Sequence, residues 1–94
     1  MIFRLLTTAG LVFEGKVESV ILPTTQGEIN ILPNHADYVG VLGKGWIRIN
    51  NGKGKKDQWG AINGLVNIKS GILEVLADDI YSKDSEEAKA LFTP

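Results

Sequence analysis

From Met1 to about Tyr81, apolar side chains come in short runs separated by Gly, Asn, Pro, Thr and Lys at intervals of roughly 8 to 12 residues. Within the runs the period is two. In Gly45-Trp46-Ile47-Arg48-Ile49-Asn50, Ile47 and Ile49 share one face while Trp46, Arg48 and Asn50 share the other, as a half-buried strand requires. Arg48 is therefore expected outside. The same reading predicts strands over Ile2 to Thr7, Leu11 to Glu14, Lys16 to Leu22, Glu28 to Ile31, Tyr38 to Leu42, Gln58 to Ile62, Leu65 to Ile68 and Ile72 to Ala77. Asn51-Gly52 and Lys69-Ser70-Gly71 are turn sequences between apolar runs, so each predicts a hairpin, the first with a basic tip. After Ala77 the pattern changes. Asp84, Glu86 and Glu87 ahead of Ala88-Lys89-Ala90-Leu91-Phe92 predict a helix capped by Asp84, which would accept from the Glu87 N–H. That helix is shorter than the ~12 to 15 residues an isolated helix needs to persist. The expected organisation is an all-β domain over 1–81, sandwich or barrel, with a short helical tail over 82–94.

Composition narrows the class. The 94 residues, 44% hydrophobic and without cysteine, make one domain with its own core and no disulfide or cysteine-bound zinc. Ten Lys and Arg against eleven Asp and Glu give a net charge of -1, which lacks the electrostatic signature of a nucleic-acid binder. No apolar run is long enough to cross a bilayer as a helix, and Met1-Ile2-Phe3-Arg4 has no secretory pattern. These features predict a soluble intracellular domain.

No constellation of residues points to catalysis or to a metal. The single histidine, His35, lies two residues from Asp37, but no Ser or Cys nucleophile accompanies them and the carboxylates have no ligand spacing. Gly43-Lys44-Gly45 lacks the spacing of a phosphate loop and leads into a strand. Lys53, Lys55 and Lys56, with Trp46 and Trp59 as stacking platforms, would serve a small β-barrel that binds single-stranded nucleic acid or oligosaccharide. That is the alternative reading. The segment Thr24 to Ala36 stands out more: a turn, a short strand and a proline-fixed loop hold the only histidine, with Glu28 at the turn's exit.

The string Gly27-Glu28-Ile29-Asn30-Ile31-Leu32-Pro33-Asn34-His35-Ala36 resembles the "GE-hydrophobic-G-I-L-P-x-H-A" motif of epsilon subunits of F-type ATP synthases. Val12-Phe13-Glu14-Gly15 with Val17 and Val20, then Gly45 to Ile49, then Gly64 followed by Ile72 to Asp78, match in the same order. Together they cover Phe3 to Asp79. Three positions depart from the pattern: Asn30 stands for a usual glycine, Asp37 for a proline, and Asn63 for the first glycine of a pair.

The resemblance implies a two-layer β-sandwich that is not an enzyme and holds no cofactor. It implies a central-stalk rotor subunit that binds the gamma subunit, rests on the c-ring loops and meets the catalytic alpha/beta assembly through the stalk, coupling proton transport to ATP synthesis. Such a subunit sits on the cytoplasmic face of the bacterial inner membrane, or the stromal face of the thylakoid, and reaches the membrane only through the complex. By the same resemblance Glu28 faces the c-ring, while His35 and Thr7 face gamma. Relatives continue into a C-terminal helical hairpin that restrains hydrolysis and in some binds ATP. Here the matching stretch is Lys83 to Ala88, with Glu87 at the arginine position, where a carboxylate would repel phosphate. The expectation is a rotor subunit without an intact inhibitory arm and without ATP held by that motif.

Overall fold

The computed structural model describes residues 1–92. In chain order the elements are β1 (Ile2–Thr7), β2 (Gly10–Lys16), β3 (Ser19–Thr24), β4 (Gly27–Ile31), β5 (Tyr38–Asn50), β6 (Lys56–Lys69), β7 (Ile72–Ser82) and α1 (Glu86–Phe92). The strands form one mixed sheet in the order β2-β1-β7-β6-β5-β3-β4. Every neighbouring pair is antiparallel except β1 with β7, which run parallel from Ile2 opposite Ile72 to Leu6 opposite Leu76.

The sheet folds over on itself. Phe3 and Leu5 on β1 belong to one buried cluster with Val20, Leu22 and Ile31 on β3 and β4, although these strands stand near opposite ends of the strand order. How the sheet turns is visible in the phase of burial. In a regular strand, residues an odd number apart face opposite sides. Yet Leu42 and Ile47 on β5 are both fully buried, as are Ala61 and Val66 on β6, and Ala77 on β7 is buried while Ile80 also packs on the core. The inward face therefore inverts at the same level in three adjacent strands. At that level the ladder skips Gly43, Asn63 and Asp78, and Asn63 has φ 54°. Asparagine is among the few non-glycine residues that enter this left-handed region readily, so it can stand where the related motif carries glycine.

The corner merges what the sequence pattern divides. Tyr38 to Leu42 and Gly45 to Asn50 are halves of β5, and Gln58 to Ile62 and Leu65 to Ile68 are halves of β6. Gly43 and Asn63-Gly64 bend the strands without ending them. Conversely, Lys16 to Leu22 is not one strand. Buried Val17 turns the chain from one layer to the other, with its N–H bonded to Met1 O at 2.8 Å and the Glu18 N–H to Asn50 O at 2.8 Å. Pro23, which lacks an N–H, sits where the β3–β5 register shifts between Ile21 and Thr24. The basic hairpin tip forms as expected: Gly52 and Gly54 have φ of 84° and 73°, and Asn50 and Asn51 accept from the N–H groups of Gly52 and Lys53.

The helix is capped one residue later than its sequence implies. Ser85 Oγ, not the Asp84 carboxylate, accepts from the Ala88 N–H at 3.0 Å. The Ser85 N–H itself donates to Ser82 O, which ties the cap to the end of β7.

Candidate functional site

The outer face of the first layer carries a row of aliphatic side chains across five strands. Register sets Val41 opposite Leu65, Leu65 opposite Leu76, Leu76 opposite Leu6 and Leu6 opposite Leu11. All point away from the core because their sequence neighbours Leu42, Val66, Val75 and Leu5 are buried. Leu65 is 59% exposed and Leu11 53%. Five strands at ~4.8 Å spacing make the row about 19 Å long. Single exposed aliphatics are ordinary, but a contiguous row marks a contact surface.

Beside it runs a charged row. Arg4, between Glu14 on β2 and Glu74 on β7, donates Nε–H to Glu14 at 2.6 Å and Nη1–H to Glu74 at 2.5 Å. The hydrogen bond to Glu14 is the main cause that raises the guanidinium's pKa above its ordinary value. The charges satisfy one another along one border of the apolar row, so that border is rigid and polar while the row stays bare.

The three residues singled out from sequence lie apart. Thr7 follows Leu6 at the margin of the row, and its Oγ1 accepts from the Ala9 N–H at 3.1 Å, which shapes the β1–β2 turn. Glu28 is exposed on β4 of the second layer, 3.6 Å from the Arg48 guanidinium. His35 is exposed in the loop between β4 and β5, where its Nδ1 lies 2.7 Å from Ala36 O and its ring stands edge-on to Tyr38 at 6.2 Å. His35 and Asp37 form no dyad: Asp37 instead accepts from the Ser70 N–H. Among the described residues no group of three or more His, Cys, Asp or Glu could hold a metal, and no helix is long and apolar enough to cross a membrane. No local sequence pattern marks the aliphatic row, because neighbours within it are five to seventy positions apart along the chain and meet only through strand order.

The two tryptophans do not make a stacking platform. Trp59 faces inward against the core, whereas Trp46 faces outward and is covered by Phe92 of α1. Register aligns Trp46, Gly60 and Tyr81 across β5, β6 and β7. The Phe92 ring settles on Gly60, where a side chain would collide with it, 5.0 Å from Trp46 and 6.2 Å from Tyr81. Lys44 Nζ stands 5.9 Å from the same ring, and Ala88 is fully buried beneath the helix. This contact explains how so short a helix persists. Phe92→Ala is expected to cost about 2 kcal/mol and to shift tryptophan emission to the red as Trp46 meets water. Unchanged emission together with an unchanged urea midpoint would show that the helix does not depend on this contact.

The comparisons agree with this architecture. Residues 1–83 match the family described as ATP synthase, Delta/Epsilon chain, beta-sandwich domain. The chain is similar to the ATP synthase epsilon chain of Nitratiruptor sp., 35% identical with 94% of this chain and 76% of that protein covered. It is similar too to that of Campylobacter concisus, 38% identical over 92% of this chain and 67% of the relative. The chloroplastic epsilon chain of Chlamydomonas reinhardtii is 33% identical over 85% of this chain and 62% of its own length. A subunit in the structure of Euglena gracilis mitochondrial ATP synthase, "OSCP/F1/c-ring in rotational state 1", shares the fold with TM-score 0.85 at 21% identity, covering 95% of this chain and 57% of that one. With the family match spanning the whole sheet, and relatives above 30% identity covered over two thirds of their length or more, the chain belongs to the epsilon-chain family of ATP synthases.

Proposed function

We propose that this chain is a non-catalytic rotor subunit of the central stalk of an F-type ATP synthase, joining the gamma subunit to the c-ring so that ion transport drives ATP synthesis. The observation that carries the reading is the bare aliphatic row Val41, Leu65, Leu76, Leu6 and Leu11 on a domain of this family. In this reading gamma covers the row, Thr7 lies at its margin and His35 meets gamma from the loop between β4 and β5. Glu28, on the other layer, meets the polar loops of the c-ring, and Arg48 holds its carboxylate until a cation of the ring replaces it. The subunit then rests at the cytoplasmic face of a bacterial membrane, or its stromal equivalent, through these contacts alone. Structures of related folds come from assemblies described as OSCP/F1/c-ring and central stalk/c-ring, which supports the placement.

Co-elution with the cognate gamma subunit tests the reading directly. A stable one-to-one complex is expected, and no complex at micromolar concentration would refute it. Charge reversal at Glu28 separates the two contacts. Glu28→Lys is expected to weaken assembly with the c-ring about tenfold while gamma binding stays unchanged, the scale of an interfacial charge pair. Equal loss of both, or of neither, would remove Glu28 from the ring contact.

A further inference from the structure

We infer that the outer face of the second layer, around Gln58, is a binding site for a small phosphate-bearing anion. Register sets Ser19, Asn50 and Lys56 in one row across β3, β5 and β6, and Ile21, Arg48 and Gln58 in the next. Lys83 follows Ser82, the partner of Trp59, and so lies alongside Gln58. These residues line an open pocket of about 380 Å³. A second hollow shares Ile49, Lys56, Asp57 and Lys83 with it and adds Lys55. The first pocket gathers Arg48, Lys56 and Lys83 against Asp57, with Glu28 beside Arg48, and Lys55 lines the neighbouring hollow. This concentration occurs in a chain whose cations are outnumbered overall.

Two of the cations are held only loosely by internal partners: Arg48 is 3.6 Å from Glu28 and Lys83 is 4.0 Å from Asp57, both beyond hydrogen-bond distance, whereas Arg4 on the other layer holds its carboxylates at 2.6 and 2.5 Å. Asp57 Oδ1 already accepts from the Gln58 N–H at 2.8 Å, and Asn50 Oδ1 from the Gly52 N–H at 2.9 Å, which leaves the Asn50 NH₂ as that side chain's remaining donor. The pocket and its neighbouring hollow therefore offer donors: a guanidinium, three ammonium groups, two side-chain amides and the Ser19 hydroxyl. Ile21, which shares the outer face with Arg48 and Gln58, supplies apolar lining beside which these charges act in less water. Planar guanidinium and mobile ammonium groups around a shallow hollow suit the several acceptor oxygens of a phosphate better than a single carboxylate. The size falls within the range of small-molecule sites, roughly 300 to 1,000 Å³.

Inorganic pyrophosphate, titrated by calorimetry into the whole chain at constant ionic strength set with sodium chloride, is the test. Saturable one-site binding is expected, competed by inorganic phosphate and weakened about tenfold or more in Lys56→Ala/Lys83→Ala. Lys53→Ala, at the hairpin tip outside the pocket, is expected to leave affinity unchanged. Arg48→Lys, which keeps the charge and loses the fork, is expected to weaken binding by a smaller factor. Absence of saturable heat, or equal weakening by Lys53→Ala, would overturn the site. So would binding to phosphatidylglycerol vesicles without any binding of pyrophosphate, since the pocket would then be a membrane-facing charge only. Gamma capture by the same variants stays intact in every case, so failure here and failure of the rotor reading are separable.

Discussion

Gly64→Ala is expected to lower stability by about 3 kcal/mol or more, a large share of the ~5 to 15 kcal/mol that holds a domain of this kind. A Cβ at Gly64 would meet the Leu76 carbonyl oxygen at an impossible distance and the Ala77 Cα at 2.8 Å. Both obstacles are backbone of β7, locked in the ladder through Gly64 opposite Ala77 and Leu65 opposite Leu76. Neither can yield by a rotamer change. Relief would require parting β6 from β7 beside the corner, which disturbs the whole core. Gly71 provides the comparison, because it has φ 78° in the β6–β7 turn but open space around it. Gly71→Ala should therefore cost only the conformational penalty, about 1 kcal/mol. Urea midpoints of the two variants decide the matter, and equal midpoints would mean that the corner tolerates a separation of its strands.

Leu65→Asp is expected to reduce affinity for gamma by about 100-fold or more while leaving the urea midpoint within about 0.5 kcal/mol of the parent. Leu65 lies between Val41 and Leu76 in the aliphatic row and, at 59%, is its most exposed member, so its side chain contributes little to the core. In a complex it would lie inside the contact, flanked by Val41 and Leu76, where water is excluded and an unpaired carboxylate is costly. Lys53→Asp makes the same kind of change on the hairpin tip of the other layer and is expected to leave gamma binding unchanged. The measurement is co-elution followed by titration at two salt concentrations. A contact dominated by apolar burial should respond weakly to salt, whereas a strong salt dependence or unaltered binding by Leu65→Asp would move the gamma contact elsewhere.

The parts of the fold legible in the sequence are those that local chemistry decides. Ile47 and Ile49 do face the core with Arg48 outside, the Asn-Gly and Ser-Gly turns do make hairpins, and the tail does become a helix. The two-layer arrangement also stands, with β1 and β4 sharing one core. What a linear pattern could not convey is the bend inside a strand. Glycine or asparagine at Gly43 and Asn63-Gly64 looks the same whether it ends a strand or turns it, and only pairing on both sides distinguishes them. The cap at Ser85 rather than Asp84 has a similar cause, since the Ser82 carbonyl fixes where the helix begins. The candidate site shows the same division. Glu28 and His35 stand in a contiguous motif that singles them out as candidates, but the aliphatic row and the donor-lined pocket assemble across strands distant in sequence, and no local pattern announces them. Trp46 and Trp59, adjacent in function on paper, are parted by the sheet itself.

The parallel pairing of β1 with β7 has a consequence for how the protein is made. Arg4 and Glu74, neighbours in the finished sheet, are 70 residues apart in the chain. The first hairpin to leave the ribosome must therefore wait, with one long edge unpaired, until the last strand has been synthesised. Contacts so remote in sequence place folding toward the slow end for small domains, milliseconds to seconds. A nascent chain stalled before Ile72 would offer that open edge to any passing strand, so uninterrupted translation through Ile72–Ser82 protects the cell from its aggregation.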